Sequence, residues 1–205
     1  MRWLLLAVTL LSTAAVAQIP AAAKGYQRPL TRLAQQEFGL QAPVALFAAQ
    51  IHQESSWQAT AQSPYAQGLS QFTPATAQWI TSRYPDLGHA APYTPGWAMR
   101  ALLRYNRHIH QRVKPWHARD VPPCEHWAFT LSGYNGGPGW ITRDRRLAEA
   151  AGQHPDRWWH HTQHYSARSP AAMQENRHYV QRIMRTLEPR YRAAGWQGGP
   201  TCFAH

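Results

Sequence analysis

From position 30 onward, apolar residues recur three and four apart, and runs that alternate in the manner of a half-buried strand are scarce. Pro43 opens a segment whose Val44, Phe47 and Ile51 fall on one helical face. Thr73-Pro74 reads as a cap followed by a first-turn proline and predicts a helix to about Arg83. Thr94-Pro95 predicts another, with Leu102, Tyr105, Ile109 and Val113 on one side. Helical patterning continues over residues 126–131. Ser169-Pro170 starts the last long helix, with Met173, Val180, Met184 and Leu187 inward and Gly195 placed to end it. The expectation is a mainly α chain, one domain over residues 30–205, with Pro- and Gly-marked joints and no internal repeat.

The first residues break this pattern. Arg2 precedes an apolar stretch to Leu11, and Ala15-Val16-Ala17 stands before Gln18. Residues 1–17 read as a secretory signal peptide, with an uncleaved anchor as the alternative. The apolar run is short for a membrane span, so no stable insertion is expected after cleavage. Residues 18–29, rich in Ala, Pro and Gln, read as a flexible leader. The chain carries a formal net charge of +11 and so seeks an anionic partner. An export signal points away from nucleic acid and toward the periplasm or cell envelope and its polymers. In an exported chain the two cysteines, Cys124 and Cys202, suggest a disulfide, with two free thiols as the alternative.

Glu54 is the first candidate for chemistry. It comes after Phe47 and Ile51 on the apolar face of its helix, near the C-terminal end. A carboxyl there is partly desolvated, which raises its pKa and lets it hold a proton near neutral pH. Position alone favours the alternative, a surface Glu at the end of an amphipathic helix. The residues C-terminal to Glu54 shift that balance. Ser55, Ser56 and Trp57 lead to Ser63, then Gly68-Leu69-Ser70-Gln71, then Pro74 and Thr76-Ala77.

This segment resembles the first motifs of the soluble lytic transglycosylase family, in which a helix-end Glu-Ser precedes a Ser and a Gly-Leu-Met-Gln stretch. The resemblance implies that Glu54 is the catalytic acid/base, that Ser63 orients substrate or catalytic groups, and that Gln71 lines the cleft. Ser70 stands where the family has Met, a departure expected to change how a sugar ring packs. Residues 129–140, FTLSGYNGGPGW, resemble the family's Ala-Tyr-Asn-Ala-Gly-Pro-Gly motif, with Gly133 and Gly136 replacing the two Ala residues. That implies Tyr134 and Asn135 beside the catalytic Glu. Glu175-Asn176-Arg177-His178-Tyr179-Val180 looks like the Glu-Thr-x-x-Tyr-Val motif of the last helix, with Asn176 in place of Thr. Glu175 would then be a cleft-side carboxylate.

The implied fold is the lysozyme-like domain of that family, with a minor hairpin near residues 67–72. The implied activity is cleavage of the MurNAc-β-1,4-GlcNAc bond of peptidoglycan with formation of 1,6-anhydro-MurNAc, a single Glu acting as acid and then base. Glycosidases usually use two flanking carboxylates. Here the next acid after Glu54 is Asp86, although Asp86, Asp120, Asp144 or Glu175 could still fold in. The alternatives are a goose-type lysozyme-like hydrolase and a non-catalytic wall-binding or assembly protein. Ten Trp and nine Tyr fit a sugar cleft, with Trp57, Tyr65 and Trp140 nearest the motifs. His160, His161 and His164 suggest a metal by spacing, but no third ligand is indicated, and a solvated basic helix around Trp158 and Trp159 is expected instead. No metal or cofactor is expected, and a monomer is.

Overall fold

The computed structural model describes residues 19–203. The segment read as a signal peptide lies outside these residues. At the centre is α2 (Val44–Ser55), apolar on nearly every face and buried almost throughout, as expected of a helix enclosed by others. Around it lie α1 (Ala23–Phe38), α3 (Pro74–Arg83), α4 (Pro95–Arg112), α5 (Pro123–Gly136), α6 (Gly139–Ala150) and α7 (Pro170–Arg182). After α7 the chain passes through a π-helical turn (Ile183–Leu187) into α8 (Glu188–Ala193), and the turn and α8 both pack on α2. Among the described residues no helix is long and apolar enough to cross a membrane.

The predicted starts hold. Thr73 Oγ1 accepts from the Thr76 amide and Ser169 Oγ from the Ala172 amide, each ahead of a first-turn proline. The last predicted helix, however, is not one regular helix to Gly195. Pro189 removes an amide donor within that run, and the π-helical turn just before it resets the hydrogen-bond ladder.

Two elements differ from expectation. Residues 23–29, read as part of a loose leader, are the first turns of α1. The helix runs through Pro29 because Ala23, Leu30 and Ala34 are buried, and the Tyr26 ring stacks on Trp57 at 5.5 Å. Residues 158–161 form turns rather than a solvated helix, and Trp158 and Trp159 are buried. The Glu125 carboxylate accepts from both of their amides, at 2.6 and 3.0 Å, which satisfies a backbone that no helix serves.

The hairpin near residues 67–72 is reduced to isolated antiparallel bridges, Gln62 with Gln67 and Gln67 with Phe72. It leans on residues 92 and 93: a Cβ on Gly68, where φ is +74°, would fall 1.8 Å from the Pro92 carbonyl oxygen. Cys124 and Cys202 are joined in a disulfide across 78 positions, fastening the C-terminal tail to the start of α5.

Candidate active site

Glu54 lies in the last turn of α2, and the way that helix ends decides where the carboxyl goes. Ser56 and Trp57 both adopt left-handed backbone, with φ of 51° and 67°, at a cost of about 1–2 kcal/mol for a residue with a side chain. Surrounding contacts hold them there. Ser55 Oγ donates to Leu69 O at 2.8 Å, and Trp57 Nε1 donates to the Tyr191 hydroxyl at 2.6 Å. The chain turns sharply below Glu54 and leads into the 61–72 segment. The carboxyl is left on the floor of a cleft of about 500 Å³. Glu54, Ser63, Gln71, Tyr134, Asn135 and Glu175 all line this cleft, so the structure brings together the six residues expected of the site.

Burial raises the Glu54 carboxyl to about 8 against an ordinary 4.5, and a hydrogen bond from Tyr179 moderates the rise. No cation among the described residues pairs with it. The Tyr179 hydroxyl donates to Glu54 Oε1 at 2.5 Å. That hydroxyl accepts from Gln50 Nε2 (3.2 Å), and Gln50 Oε1 accepts from Asn106 Nδ2 (2.8 Å). A hydrogen-bonded chain therefore runs in one direction from α4 through α2 and α7 to the carboxyl. Burial also holds the Tyr134 and Tyr179 phenols far above their ordinary value, so both stay neutral.

The remaining residues are held by local bonds. Ser63 Oγ accepts from the Tyr65 and Ala66 amides at 3.3 and 3.0 Å and so shapes the loop over the cleft. Gln71, itself left-handed at φ 47°, donates to Gly68 O at 2.8 Å. The Tyr134 hydroxyl donates to Ser70 O at 2.9 Å. Asn135 Oδ1 accepts from Asn176 Nδ2 at 2.8 Å, which ties the end of α5 to α7. Glu175 is exposed at the rim, one helical turn before Tyr179.

Other expectations need correction. Ser70 does not line the cleft: it is fully buried and its hydroxyl donates to Ala98 O at 3.1 Å. Of the three rings nearest the motifs, Trp57 is core, and Trp140 stands between the guanidinium groups of Arg143 and Arg168, outside the cleft lining. Tyr65 alone lines the cleft, 80% exposed. Asp144 is buried against Arg168 and Arg177, and Asp86 pairs with Arg100 and Arg104, so of the acids that could have joined Glu54 only Glu175 reaches the cleft.

Two cleft residues carry no distinguishing signal in the sequence. Tyr179 sits within the third motif, but nothing in its spacing separates a ligand of Glu54 from a core tyrosine. Gln53 lines the cleft with a buried Oε1 that has no partner among the described residues, which leaves it free to accept from a ligand.

A family model described as the transglycosylase SLT domain matches residues 31–156. A membrane-bound lytic murein transglycosylase F of Marinobacter nauticus is 37% identical over 114 residues, covering 55% of this chain and 20% of that protein. A membrane-bound lytic murein transglycosylase F 2 of Alkalilimnicola ehrlichii is 32% identical over 117 residues, covering 57% of this chain and 24% of that protein. The chain thus spans about a fifth to a quarter of the length of these relatives. Among solved structures, the 70 kDa soluble lytic transglycosylase of Escherichia coli matches with a TM-score of 0.57 at 22% identity, over 84% of this chain and 25% of that one. That likeness shows the fold, the mainly helical lysozyme-like arrangement that the motifs implied.

Proposed function

The chain belongs to the transglycosylase SLT domain family, and from that premise we propose that it is an exported lytic transglycosylase that cuts peptidoglycan glycan strands between MurNAc and GlcNAc, with Glu54 as its acid and base. The observation that carries the reading is the state of Glu54: a carboxyl on a cleft floor, raised by burial to about 8 and held by the Tyr179 hydroxyl. At neutral pH such a carboxyl is an acid ready to donate.

Glu54 protonates the glycosidic oxygen as the bond from C1 of MurNAc breaks, and the GlcNAc fragment leaves as an alcohol. Positive charge develops at C1, where the sugar's own 2-acetamido group assists. The carboxylate then takes the proton of the muramoyl 6-hydroxyl as that oxygen closes on C1. The 1,6-anhydro ring forms, Glu54 regains its proton, and no water is consumed. Such a sequence needs one acid and no protein nucleophile. Glu175, exposed at the rim, suits contact with substrate better than attack on C1. Tyr134, Asn135 and the free Gln53 Oε1 are placed to meet the polar groups of an amino sugar.

Mass spectrometry of digested sacculi tests this reading. The expected products end in anhydro-muramoyl groups, lighter by one water than reducing ends, and Glu54→Gln releases none. Reducing ends alone would identify a hydrolase of the goose-lysozyme kind. Equal release by Glu54→Gln would remove Glu54 from the chemistry.

A further inference from the structure

Asn176 is buried in α7, and two of the partners of its carboxamide admit only one role each. Arg177 Nη1 can only donate, and it donates to Asn176 Oδ1 at 2.7 Å. The Ser132 carbonyl can only accept, and it accepts from Asn176 Nδ2 at 2.9 Å. The Asn176 amide therefore has a single orientation. Arg177 is itself held, by Asp144 Oδ2 at 3.0 Å and by the Gln163 and Tyr165 carbonyls at 2.8 and 3.0 Å.

The second hydrogen on Asn176 Nδ2 is directed at Asn135, 2.8 Å away, and only the Oδ1 end of Asn135 can receive it. With Oδ1 turned to α7, the other end of the Asn135 amide faces away from it. Asn135 lines the Glu54 cleft, and its Nδ2 has no partner among the described residues. The identity of residue 176 matters here. A Thr hydroxyl, which the resembled motif has at this position, carries one hydrogen and cannot serve Ser132 O and Asn135 Oδ1 at once. Asn supplies a hydrogen to each.

An unrestrained carboxamide can flip to meet a donor or an acceptor. We propose that Asn176 is a positioning residue: it locks the Asn135 carboxamide with its NH2 group in the cleft, so that the cleft selects an accepting oxygen of the glycan at that point. The proposal rests on the reading of the cleft as the place where glycan strands bind.

Asn135→Asp decides the orientation. One carboxylate oxygen keeps the bond from Asn176, and the other replaces the cleft-facing donor with an acceptor. Binding of peptide-free glycan strands is followed by calorimetry in a Glu54→Gln background, from which the proposed acid is absent. Asn135→Asp is expected to weaken binding roughly tenfold, as for one mismatched polar contact, with Tm close to that of its parent. Equal binding would put the oxygen end in the cleft and overturn the proposal.

Asn176→Thr tests the positioning. Strand binding is expected to weaken roughly threefold. In nuclear magnetic resonance spectra the signals of the Asn135 NH2 group are expected to broaden or double as the amide samples both orientations. Unchanged Asn135 signals and unchanged binding, with stability alone reduced, would leave Asn176 a packing residue and overturn the proposal. A third measurement needs no ligand. In the free protein the NH2 protons of Asn176, buried and bonded, are expected to exchange with solvent more slowly than those of Asn135. The reverse order would overturn the proposal. If strands fail to bind the parent protein, the glycan reading of the cleft falls, while the exchange rates still judge the amide.

Discussion

The side-chain amide of Asn176 occupies the margin of space that a Cβ on residue 136 would need: an ideal Cβ on Gly136 would lie 3.1 Å from Asn176 Nδ2. These are two of the positions at which the chain departs from the motifs it resembles, and they touch. The longer Asn reaches across to Asn135 Oδ1 and to Ser132 O, at 2.8 and 2.9 Å, because residue 136 has no side chain in the way.

Coupling between the two positions should be measurable. Gly136→Ala alone is expected to cost about 1–3 kcal/mol by crowding. Asn176→Thr alone is expected to cost about 1–3 kcal/mol by leaving Asn135 and Ser132 short of a donor. The double variant should fall short of the sum by ~1 kcal/mol in denaturant titrations. Strict additivity would mean that the contact carries no energy.

Protonation of Glu54 predicts a pH dependence with a definite sign. If Glu54 acts as the proposed acid, activity requires its neutral form, and kcat/KM should decline as pH rises through about 8. Stability moves the same way. Below the unfolded value of 4.5 both states are protonated at this position; between 4.5 and about 8 only the unfolded chain ionises, so the fold loses up to ~1.4 kcal/mol per pH unit. Thermal melts should therefore show Glu54→Gln gaining on wild type across that interval. A constant difference between the two proteins would contradict a raised carboxyl.

Tyr179→Phe removes the hydrogen bond that moderates Glu54. The alkaline limb of the pH profile should move above about 8, and kcat should drop on the order of tenfold. The variant also leaves Gln50 Nε2 without its acceptor, at about 1–3 kcal/mol of stability. A stability loss with no movement of the pH profile would reduce Tyr179 to a packing role.

Breaking the Cys124–Cys202 bridge, by reductant or by Cys→Ser at both positions, frees a tail closed over 78 positions. The chain-entropy model gives a loss of roughly 4 kcal/mol, on the order of 10 °C in Tm. Neither cysteine lines the cleft, so activity at low temperature should survive. Loss of activity without loss of Tm would be the contrary result.

How far the sequence alone reveals this molecule depends on which signals are local. The starts of α3 and α7 are legible because a hydroxyl residue before a proline announces a cap within two residues. α6 is not, because its buried side includes Asp144 and Arg145, charges whose partners come from distant segments. The front of α1 is misleading because Pro29 and a run of small residues suggest a loose chain, whereas Trp57 supplies the contact that orders it. A residue set by helix position, Glu54 above all, can have its location placed in advance, near the C-terminal end of α2. Its supporting partners cannot: Gln50 and Asn106 reach Glu54 only through α7.

The one-way run of donors from Asn106 to Glu54 also distinguishes the two oxygens of the carboxyl. Oε1 accepts from Tyr179, which leaves Oε2 without a partner among the described residues and suits it to carry the labile hydrogen. Under the proposed chemistry the glycosidic oxygen would be met from that atom, and the selection would be made in part by two amide side chains, Gln50 and Asn106, that do not line the cleft.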